Sequence, residues 1–473
     1  MEAEYATRKR QLLEECQVAP EIFDQVMARL ETFMVPFVST FRRQEPSEHA
    51  HTYVRGLLSE VARKNVESIA YRFGQDRLPL QRFIGWAQWD EAPLRQELTR
   101  QVAEQLGQAE GVLVFDPSAF AKSGPESVGV ARQWCGRLGK VDNCQVAVYL
   151  GYVSGEGHTL VDMRLYLPKA WTQDPARLDK AGVPHDRRGY RSRHQLALDM
   201  LQERGALLPH GWIAGDDEMG RPYWFRRRLA HLGERYLLAV PGNTLMRDLE
   251  TTPPESNRRG RRPKRPWQRI EQWSASLAQD AWTTIDVRDG AKGPLVVDIV
   301  KRRVAARTPQ RQEGHEETVV VVRYRDRDRQ EVVKVDFYLS NGTAQTSLAT
   351  LAGVAKAEHR IEECLQRSKS EAGLADYEVR NWTGWHHHQT LSLIATWFLV
   401  TETRRGKKGT PAMTFPQIQA GIAWILSLAC QCGTMSRMLH ERERRLQRNE
   451  LARFYYWKQH NRLPPLNLDK RQF

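Results

Sequence analysis

The chain has 473 residues with 71 Lys or Arg against 57 Asp or Glu, which gives a formal net charge of +14 and a pI near 9.6. This basic excess indicates a polyanionic partner, nucleic acid before a membrane surface. Because no run of about 18 apolar residues and no signal-peptide pattern occurs, we expect a cytoplasmic, nucleoid-associated protein with no membrane partner. The six cysteines lack paired spacing, so we expect neither zinc nor disulfides.

Residues 1–108 are predicted to form a helical, DNA-binding domain. Between Tyr53 and Phe73, apolar residues recur close to a 3.6-residue period, and basic residues decorate the same stretch. A second amphipathic helix is predicted over Ala92–Leu106. A helical domain that only packs against the rest of the chain explains this segment about as well as one that binds DNA.

Residues 109–243 are predicted to form the first part of an α/β domain with a mixed sheet. Apolar runs and alternating patterns indicate strands, and Ser192 is placed to cap a helix. The predicted elements are strands at 111–116, Gln145–Val153 and Leu160–Leu167, the last one half-buried, then a helix from Ser192 to Gly205, a short strand opening 211–220, a helix over Tyr223–Leu232 and a strand over Arg235–Val240.

Residues 244–350 are predicted to form a β-rich insertion between the sheet and a later helix. Its strand-like segments are Leu295–Val304, Val319–Tyr324 and Glu331–Leu339. A basic run precedes them, and because such a run cannot pack in a core we expect a loop that contacts DNA phosphates. Its six cations are Arg258, Arg259, Arg261, Arg262, Lys264 and Arg265.

Tryptophans that follow the basic run are candidates for stacking on a displaced nucleic-acid base. Trp267 and Trp273 are the better candidates, because Trp282 is followed by a segment typical of a buried strand. Burial in the core of the insertion is an equally good interpretation for any one of them.

Residues 351–400 are predicted to return to the core through a helix that carries Glu362 and Lys369, and residues 401–473 to form a helical C-terminal region. Glu362 and Lys369 stand seven residues apart, which is two helical turns, so both side chains project from one face about 10 Å apart. Ile361, Cys364 and Leu365 supply the apolar side. On its own, this pair is typical of a solvated helix face.

Three acidic residues from separate segments form a candidate catalytic set. Asp116 and Asp216 each follow a predicted strand, and Glu362 lies on the helix. Two-metal phosphoryl transfer needs acids that converge in this way. Each acid has an alternative: Asp116 as a turn former, and Asp217 or Glu218 as the ligand in place of Asp216. Asp162, on its own strand, could be a surface residue.

Several motifs in fixed order resemble the DDE transposases of bacterial insertion sequences, and in particular their seven-hundred-and-one-type subgroup. The motifs are Asp-Pro-Ser-Ala-Phe-Ala-Lys-Ser-Gly (116–124), Ser-Val-Gly-Val-Ala-Arg-Gln-Trp-Cys-Gly (127–136), Gly-Lys-Val-Asp-Asn-Cys-Gln-Val-Ala-Val (139–148), Asp-x-x-Met-Gly (216–220), Ile-Glu-x-x-Leu-x-x-x-Lys-x-x-x-Gly-Leu (361–374) and Tyr-Glu-Val-Arg-Asn-Trp-Thr-Gly-Trp-His (377–386). The resemblance implies an RNase H-like catalytic core with a β-rich insertion before the final Glu.

The resemblance also implies a site and an activity. Asp116, Asp216 and Glu362 would be the DDE triad that holds two Mg²⁺ ions, with Mn²⁺ as a possible substitute, and Lys369 would hold a phosphate. Three further cations would line the approaching strand: Lys122, Arg132 and Lys140. Where many relatives have an arginine and a tyrosine before the final Glu, this chain has Glu358 and Ala355, and His359 or Arg360 would have to substitute for that arginine.

The function implied is that of a transposase that binds the terminal inverted repeats of its element and cuts and rejoins double-stranded DNA as a homodimer. Two other functions would use similar residues. An RNase H-fold nuclease that does not join strands would share the acids, and a domesticated DNA-binding descendant would keep the basic surfaces.

Overall fold

The computed structural model describes residues 20–253, 264–288, 295–325, 331–410 and 413–429, with the single residues Thr7, Phe454 and Trp457. Its centre is a mixed sheet of twelve strands flanked by helices. The predicted α/β class with a mixed sheet is therefore confirmed. Four cations of the basic run, at positions 258, 259, 261 and 262, lie outside the described residues, as does most of the predicted helical C-terminal region beyond residue 429.

Between residues 20 and 111, the structure describes five α-helices before the sheet: α1 (Val26–Val38), α2 (Gln44–Leu58), α3 (Val66–Arg72), α4 (Arg77–Gly85) and α5 (Ala92–Leu106). The periodic stretch between Tyr53 and Phe73 is not one helix, because α2 ends at Leu58 and α3 begins at Val66. Asn65 explains the second start, since its side chain accepts a hydrogen bond from the Ser68 backbone N–H and caps α3. The predicted bounds of α5 are confirmed.

The strands are β1 (Val112–Ala121), β2 (Ala131–Cys135), β3 (Lys140–Ser154), β4 (Gly157–Leu165), β5 (Trp212–Gly215), β6 (Tyr236–Ala239), β7 (Leu245–Asp248), β8 (Gln268–Arg269), β9 (Thr283–Arg288), β10 (Leu295–Arg307), β11 (Glu313–Arg325) and β12 (Val332–Ser340). Their order is β2-β3-β1-β5-β6-β12-β11-β10-β7-β8, with β4 also paired to β3 and β9 to β10. β1 runs antiparallel to β3 and parallel to β5, and β5 runs parallel to β6.

The remaining helices are α6 (Lys169–Thr172), α7 (Pro175–Lys180), α8 (Arg193–Arg204), α9 (Asp217–Gly220), α10 (Tyr223–His231), α11 (Ile270–Ala275), α12 (Leu348–Glu371), α13 (Trp382–Lys407) and α14 (Phe415–Ala429). Ser192 caps α8 as predicted, in a reciprocal capping box with Gln195. α12 packs across β1, β3, β4 and β5. Among the helices that the structure describes, none is long and apolar enough to span a bilayer.

The prediction of a half-buried strand at Leu160–Leu167 is wrong, because β4 is buried on both faces. Asp162, which the sequence left open as a surface residue, is 0% exposed. Its carboxylate accepts hydrogen bonds from Arg95 (2.6 Å), Arg164 (2.8 Å) and Arg204 (3.0 Å). These three arginines come from α5, β4 and α8, so one buried carboxylate joins the N-terminal helices to the sheet.

The β-rich insertion does not lie as a separate layer between the sheet and α12. Its last strand, β12, pairs antiparallel with β6, so the insertion continues the core sheet. A buried ion pair supports this junction, since Arg226 of α10 donates to Glu317 of β11 at 2.7 Å. The hydroxyl of Tyr236, on β6, also donates to Glu317 at 2.7 Å.

The motif at 377–386 and the histidines that follow it tie α13 to the N-terminal helices. His387 lies within hydrogen-bond distance of the Ile84 and Trp89 carbonyl oxygens, at 2.9 and 3.0 Å. The next residue, His388, contacts the Tyr53 hydroxyl at 2.8 Å. All these groups are buried or nearly so, which gives this histidine pair a structural role.

Candidate active site

Two aspartates lie side by side where the parallel pairing of β1 with β5 ends. The parallel register pairs Phe115 of β1 with Gly215 of β5, and Asp116 and Asp216 are the next residues after this pair. β5 ends at Gly215, but β1 continues through Asp116 to Ala121, so the predicted strand end at Asp116 is wrong. The structure nevertheless brings together the two acids that the sequence singled out.

A tight turn fixes Asp216 and explains the Asp-x-x-Met-Gly motif. Asp216 caps α9 by accepting a hydrogen bond from the Met219 backbone N–H at 3.0 Å. A side chain at Gly220 would put its Cβ 1.8 Å from the Ala239 carbonyl oxygen, so only glycine lets the turn approach β6. Met219 is fully buried beneath the turn.

The other two acids of this turn point elsewhere. Asp217 is exposed and pairs with Arg221 at 2.8 Å. Glu218 is held by Arg193, whose guanidinium donates to both carboxylate oxygens at 2.6 and 2.7 Å. Asp216 is thus the member of the group that lies beside Asp116 in a buried position.

Helix α12 carries Glu362 over the sheet next to these aspartates. The helix docks through Ile361, which is fully buried, and Gly151 of β3 leaves the space for it: a Cβ there would lie 2.4 Å from Ile361 Cδ1. The Glu362 side chain is 75% exposed and lies 3.5 Å from the His359 imidazole. Glu362 is therefore at the rim of the site, whereas the aspartates are inside it.

The electrostatics of the site are those of crowded carboxylates. Burial raises the pKa of Asp116 to about 8, and repulsion from Asp216 and Glu362 adds to that rise. Burial also raises the pKa of Asp216 to about 7, against the hydrogen bond from Met219. The hydrogen bond with His359 lowers the pKa of Glu362. A cation near the two aspartates would favour their ionised forms and lower both pKa values.

Lys369 lies on the same side of α12 as Glu362, two turns on. Its ammonium donates to the Ser118 hydroxyl at 2.8 Å and lies 4.8 Å from the centre of the Phe120 ring. Its positive charge lowers the pKa of Asp116, two residues from Ser118 on β1. Lys369 thus brings a cation to the site, as its spacing from Glu362 predicted.

Glu358 is a fourth acid near the aspartates that the sequence did not mark as functional. Burial raises its pKa to about 8, with further contributions from Asp216 and Asp116. The available signal was spacing: Glu358 precedes Glu362 by four residues, so both lie on one helix face. That signal is weak, because charged pairs at this spacing are common on solvated helices.

The donor set fits a hard divalent ion. Carboxylate oxygens are the ligands that Mg²⁺ and Mn²⁺ prefer, and within the part of the chain that the structure describes neither Asp116 nor Asp216 forms an ion pair. Within the described ranges, no three His, Cys, Asp or Glu side chains already converge closely enough to ligate one ion. Rotation of the exposed Glu362 side chain is the adjustment available to complete such a set.

The three cations expected to line the approaching strand have different surroundings. Lys122 is half-buried over the Tyr377 ring, 3.5 Å from its centre, and burial lowers its pKa to about 8. Arg132 and Lys140 are exposed near the β2–β3 turn, where Lys140 pairs with Asp142 at 3.1 Å. Of these three cations, Arg132 and Lys140 are the two that present their charge directly to solvent.

The described part of the basic run and its tryptophans lie along the β7–β8 edge. Lys264 is exposed, and Arg265 donates to the Thr251 carbonyl oxygen at 2.7 Å. Trp267 is half-buried with one face against Arg247, whose guanidinium carbon lies 4.2 Å from the ring centre. Trp273 is only 5% exposed in the core of the insertion, so a base could stack on it only if that core opened.

A mixed sheet with one aspartate on a central strand and a second directly after the adjacent parallel strand, crossed by a helix that carries a further acid, is typical of RNase H-like enzymes that act on phosphodiester bonds. The sequence model of the family described as DDE superfamily endonuclease matches residues 36–294, more than half of the chain. The chain therefore belongs to the DDE superfamily endonucleases.

Membership of this family implies an RNase H-like fold, a DNA substrate and a general use of divalent metal ions. The matched residues include Asp116 and Asp216 and end before Glu362. No curated protein matches the chain at a significant level of similarity.

Proposed function

We propose that this endonuclease is a transposase of a bacterial insertion sequence, of the seven-hundred-and-one-type subgroup, that binds terminal inverted repeats and carries out strand cleavage and strand transfer. The observation that carries the proposal is the set formed by Asp116, Asp216, Glu362 and Lys369. Two of these groups are fixed in the sheet and two come from one face of α12, an arrangement that supports phosphoryl transfer at a DNA strand.

The proposed roles follow from the positions of the side chains. Asp116 and Asp216 would hold divalent ions, and Glu362 would complete the ligand set from the rim. Two Mg²⁺ ions, or Mn²⁺ in their place, supply activation of the attacking oxygen and stabilisation of the leaving oxygen when bound. Lys369 would hold a phosphate oxygen of the cleaved strand and keep that strand over β1.

The rest of the chain would hold the DNA. In this proposal residues 1–108 recognise the ends, 109–243 and 351–400 form the catalytic core, 244–350 form the insertion with its basic run, and 401–473 add a helical C-terminal region. Arg132 on β2 and Lys140 on β3 are exposed and suit contacts with DNA phosphates. A homodimer would let the two transposon ends be cut and joined together. Because the substrate is chromosomal DNA, the protein would act at the nucleoid.

The test is a cleavage and strand-transfer assay with labelled transposon ends, together with a binding assay. Asp116→Asn, Asp216→Asn and Glu362→Gln should each abolish cleavage while end binding stays near the wild-type level. Asp217→Asn is the matched control, because this neighbouring aspartate is exposed and paired with Arg221, and it should cleave normally. Activity in all three site variants would rule out the two-metal site.

The same assay separates the alternatives. A wild-type protein that cuts the ends without joining them would be an RNase H-fold nuclease. One that binds the ends and neither cuts nor joins with Mg²⁺ or Mn²⁺ would be a DNA-binding descendant. Transfer of the labelled end into a second DNA molecule is the result that the transposase proposal requires.

A further inference from the structure

The hairpin of β2 and β3 extends beyond the rest of the sheet. β1 ends at Ala121, whose partner on β3 is Cys144, and Cys144 also pairs with Ala131 of β2. Among the strands that the structure describes, none flanks the hairpin beyond this row, so residues 132–143 form a two-stranded ribbon, the β2–β3 ribbon. Its turn is tight, because Gly139 takes a left-handed conformation and its backbone N–H donates to the Gly136 carbonyl oxygen at 3.2 Å.

The β2–β3 ribbon carries three large apolar side chains that are exposed to solvent. Trp134 is 57% exposed, Val141 is 52% exposed, and Leu138, in the turn, is 43% exposed. Trp134 and Val141 are direct partners in the register, so their side chains project side by side from one face of the ribbon. Single exposed apolar residues are common on protein surfaces, but three within eight residues indicate a surface that a partner covers.

Contacts on the opposite face of the ribbon fix this orientation. Cys135 and Cys144 are buried on that face. The Gln133 amide donates to the Cys144 carbonyl oxygen at 2.9 Å and accepts a hydrogen bond from Arg193 at 3.1 Å. Because side chains alternate between the two faces of a strand, these contacts hold Trp134 outward. Trp134 could turn inward only if β2 slipped by one residue, which would expose Cys135.

The exposed pair lies on the same face of the sheet as Asp116. Asp116 pairs with Tyr149 of β3, and Val141 lies eight residues before Tyr149 in an unbroken register. An even separation along a strand returns the side chain to the same face. The distance along β3 is about 26 Å, at about 3.3 Å per residue. DNA that follows β3 from Asp116 to the ribbon therefore spans about eight base pairs, at about 3.4 Å each.

The charges around the exposed pair fit a polyanion. Arg132 is exposed two residues before Trp134, hence on the same face. Lys140 is exposed beside the turn, where its pairing with Asp142 at 3.1 Å is solvated and therefore weak. Charged side chains on an edge strand also oppose its pairing with a strand of a second protein chain. DNA is thus a better occupant of this surface than another copy of the protein.

The shape of the ribbon fits one groove of the duplex, since the major groove, about 12 Å wide, admits a two-stranded β-ribbon. We propose that the β2–β3 ribbon enters the major groove of the bound DNA about eight base pairs from the phosphate at Asp116. Trp134 and Val141 contact base edges there, and Arg132 contacts a phosphate. Apolar side chains in this groove recognise thymine through its methyl group. This inference rests on the proposed function, because it takes Asp116 as the point of cleavage.

The experiment is photo-crosslinking of the full-length protein to transposon-end duplexes, without divalent ions so that no strand is cut. Each duplex carries one 5-bromouracil, whose bromine replaces the thymine methyl group and so lies in the major groove. The wild type should crosslink through a peptide that contains Trp134, most strongly about six to ten base pairs from the transposon end. Trp134→Ala should lose this crosslink and bind the duplex about 5- to 100-fold more weakly, the range for loss of an aromatic contact with a base. Trp134→Phe should retain part of both.

Trp424→Ala is the matched control, since Trp424 is 64% exposed on α14 and its loss should change neither the crosslink nor the affinity. Arg132→Gln should make the slope of log K against log salt concentration shallower by about 0.9, whereas Trp134→Ala should leave that slope unchanged. A crosslink or an affinity that persists in Trp134→Ala would overturn the proposal. If Trp134→Ala does not fold, the wild type decides, because a crosslinked peptide outside residues 131–143 would also overturn it.

The same measurements separate this inference from the proposed function. If the wild type cuts and joins ends but no crosslink reaches the ribbon, the proposed function stands and this inference fails. If the ribbon crosslinks but the protein neither cuts nor joins, the ribbon contacts DNA and the proposed function fails. If Trp134→Ala changes the sedimentation coefficient of the protein without DNA, the ribbon binds a second copy of the chain, which would overturn the proposal.

Discussion

Gly151→Ala tests whether the contact between α12 and β3 sets the position of Glu362. A Cβ at residue 151 would lie 2.4, 2.6 and 2.9 Å from Cδ1, Cγ1 and Cγ2 of Ile361, a side chain with no exposed surface. Because Ile361 has no space to rotate into, the helix must move away from the sheet. Overpacking of this kind costs about 1–3 kcal/mol of folding free energy. A shift of about 1 Å in a catalytic group slows the reaction about 100-fold.

Urea unfolding and cleavage of labelled DNA measure the two effects. We expect a lower unfolding midpoint and about 100-fold slower cleavage at unchanged DNA affinity. The double variant with Ile361→Ala should recover part of the cleavage rate, and its loss of stability should be smaller than the two single losses combined. Gly353→Ala, on the same helix with nothing within 4 Å of its Cβ, is the control and should raise stability by about 0.5–1 kcal/mol. Wild-type cleavage and stability in Gly151→Ala would refute this account.

Three further predictions concern the rest of the chain. Asp162→Asn should cost about 3–5 kcal/mol at pH 7, because three buried arginines lose their shared anion. Although burial alone would raise the pKa of Asp162, its arginines hold that pKa well below the usual range. Its stabilisation is therefore fully present above about pH 4, the pKa of an unfolded Asp, and declines gradually as pH falls from there towards the folded pKa. The gap between the wild-type and variant urea midpoints should narrow as pH falls from about 5 to about 3; a constant gap would contradict this. Replacing the six cations of the basic run by Gln should weaken binding to all DNA sequences alike. The slope of log K against log salt concentration should become shallower by up to about 0.9 units per lost phosphate contact. An unchanged slope would mean that the run is solvated and does not contact DNA. Trp267→Ala, once shown by melting to be folded, should reduce both the fluorescence change of 2-aminopurine placed near the cut and second-strand cleavage; normal values for both would leave the insertion with a positioning role alone.

Local patterns predicted the parts of the site that depend on local structure. Asp216 follows an apolar run that ends a strand, and Ser192 precedes a periodic stretch, so one strand end and one helix start could be located from the sequence. The apolar run before Asp116 located β1 but not its end, because β1 continues to Ala121. Glu362 and Lys369 were linked by helical periodicity alone. In each case the information lies within about ten residues of the position concerned.

Features that depend on distant residues could not be predicted in the same way. Asp162 alternates with apolar residues as a surface acid would, and only the folded chain brings Arg95 and Arg204 to it across long sequence separations. The pairing of β12 with β6 joins segments about a hundred residues apart, and no local period records such a register. In the sequence, Glu358 is only a departure from a motif, because a helical pattern does not show which residues lie near the core aspartates.

The shared sheet constrains how the insertion can act on DNA. β6 pairs with β5 on one side and with β12 on the other, so the insertion strands are hydrogen-bonded into the layer that carries Asp216. At this junction the buried Arg226 guanidinium donates two hydrogen bonds to the buried Glu317 carboxylate, at 2.7 and 3.2 Å. Swinging the insertion as a flap would break both the strand pairing and this ion pair. Groups that β7–β12 present to DNA therefore keep a fixed distance from Asp216.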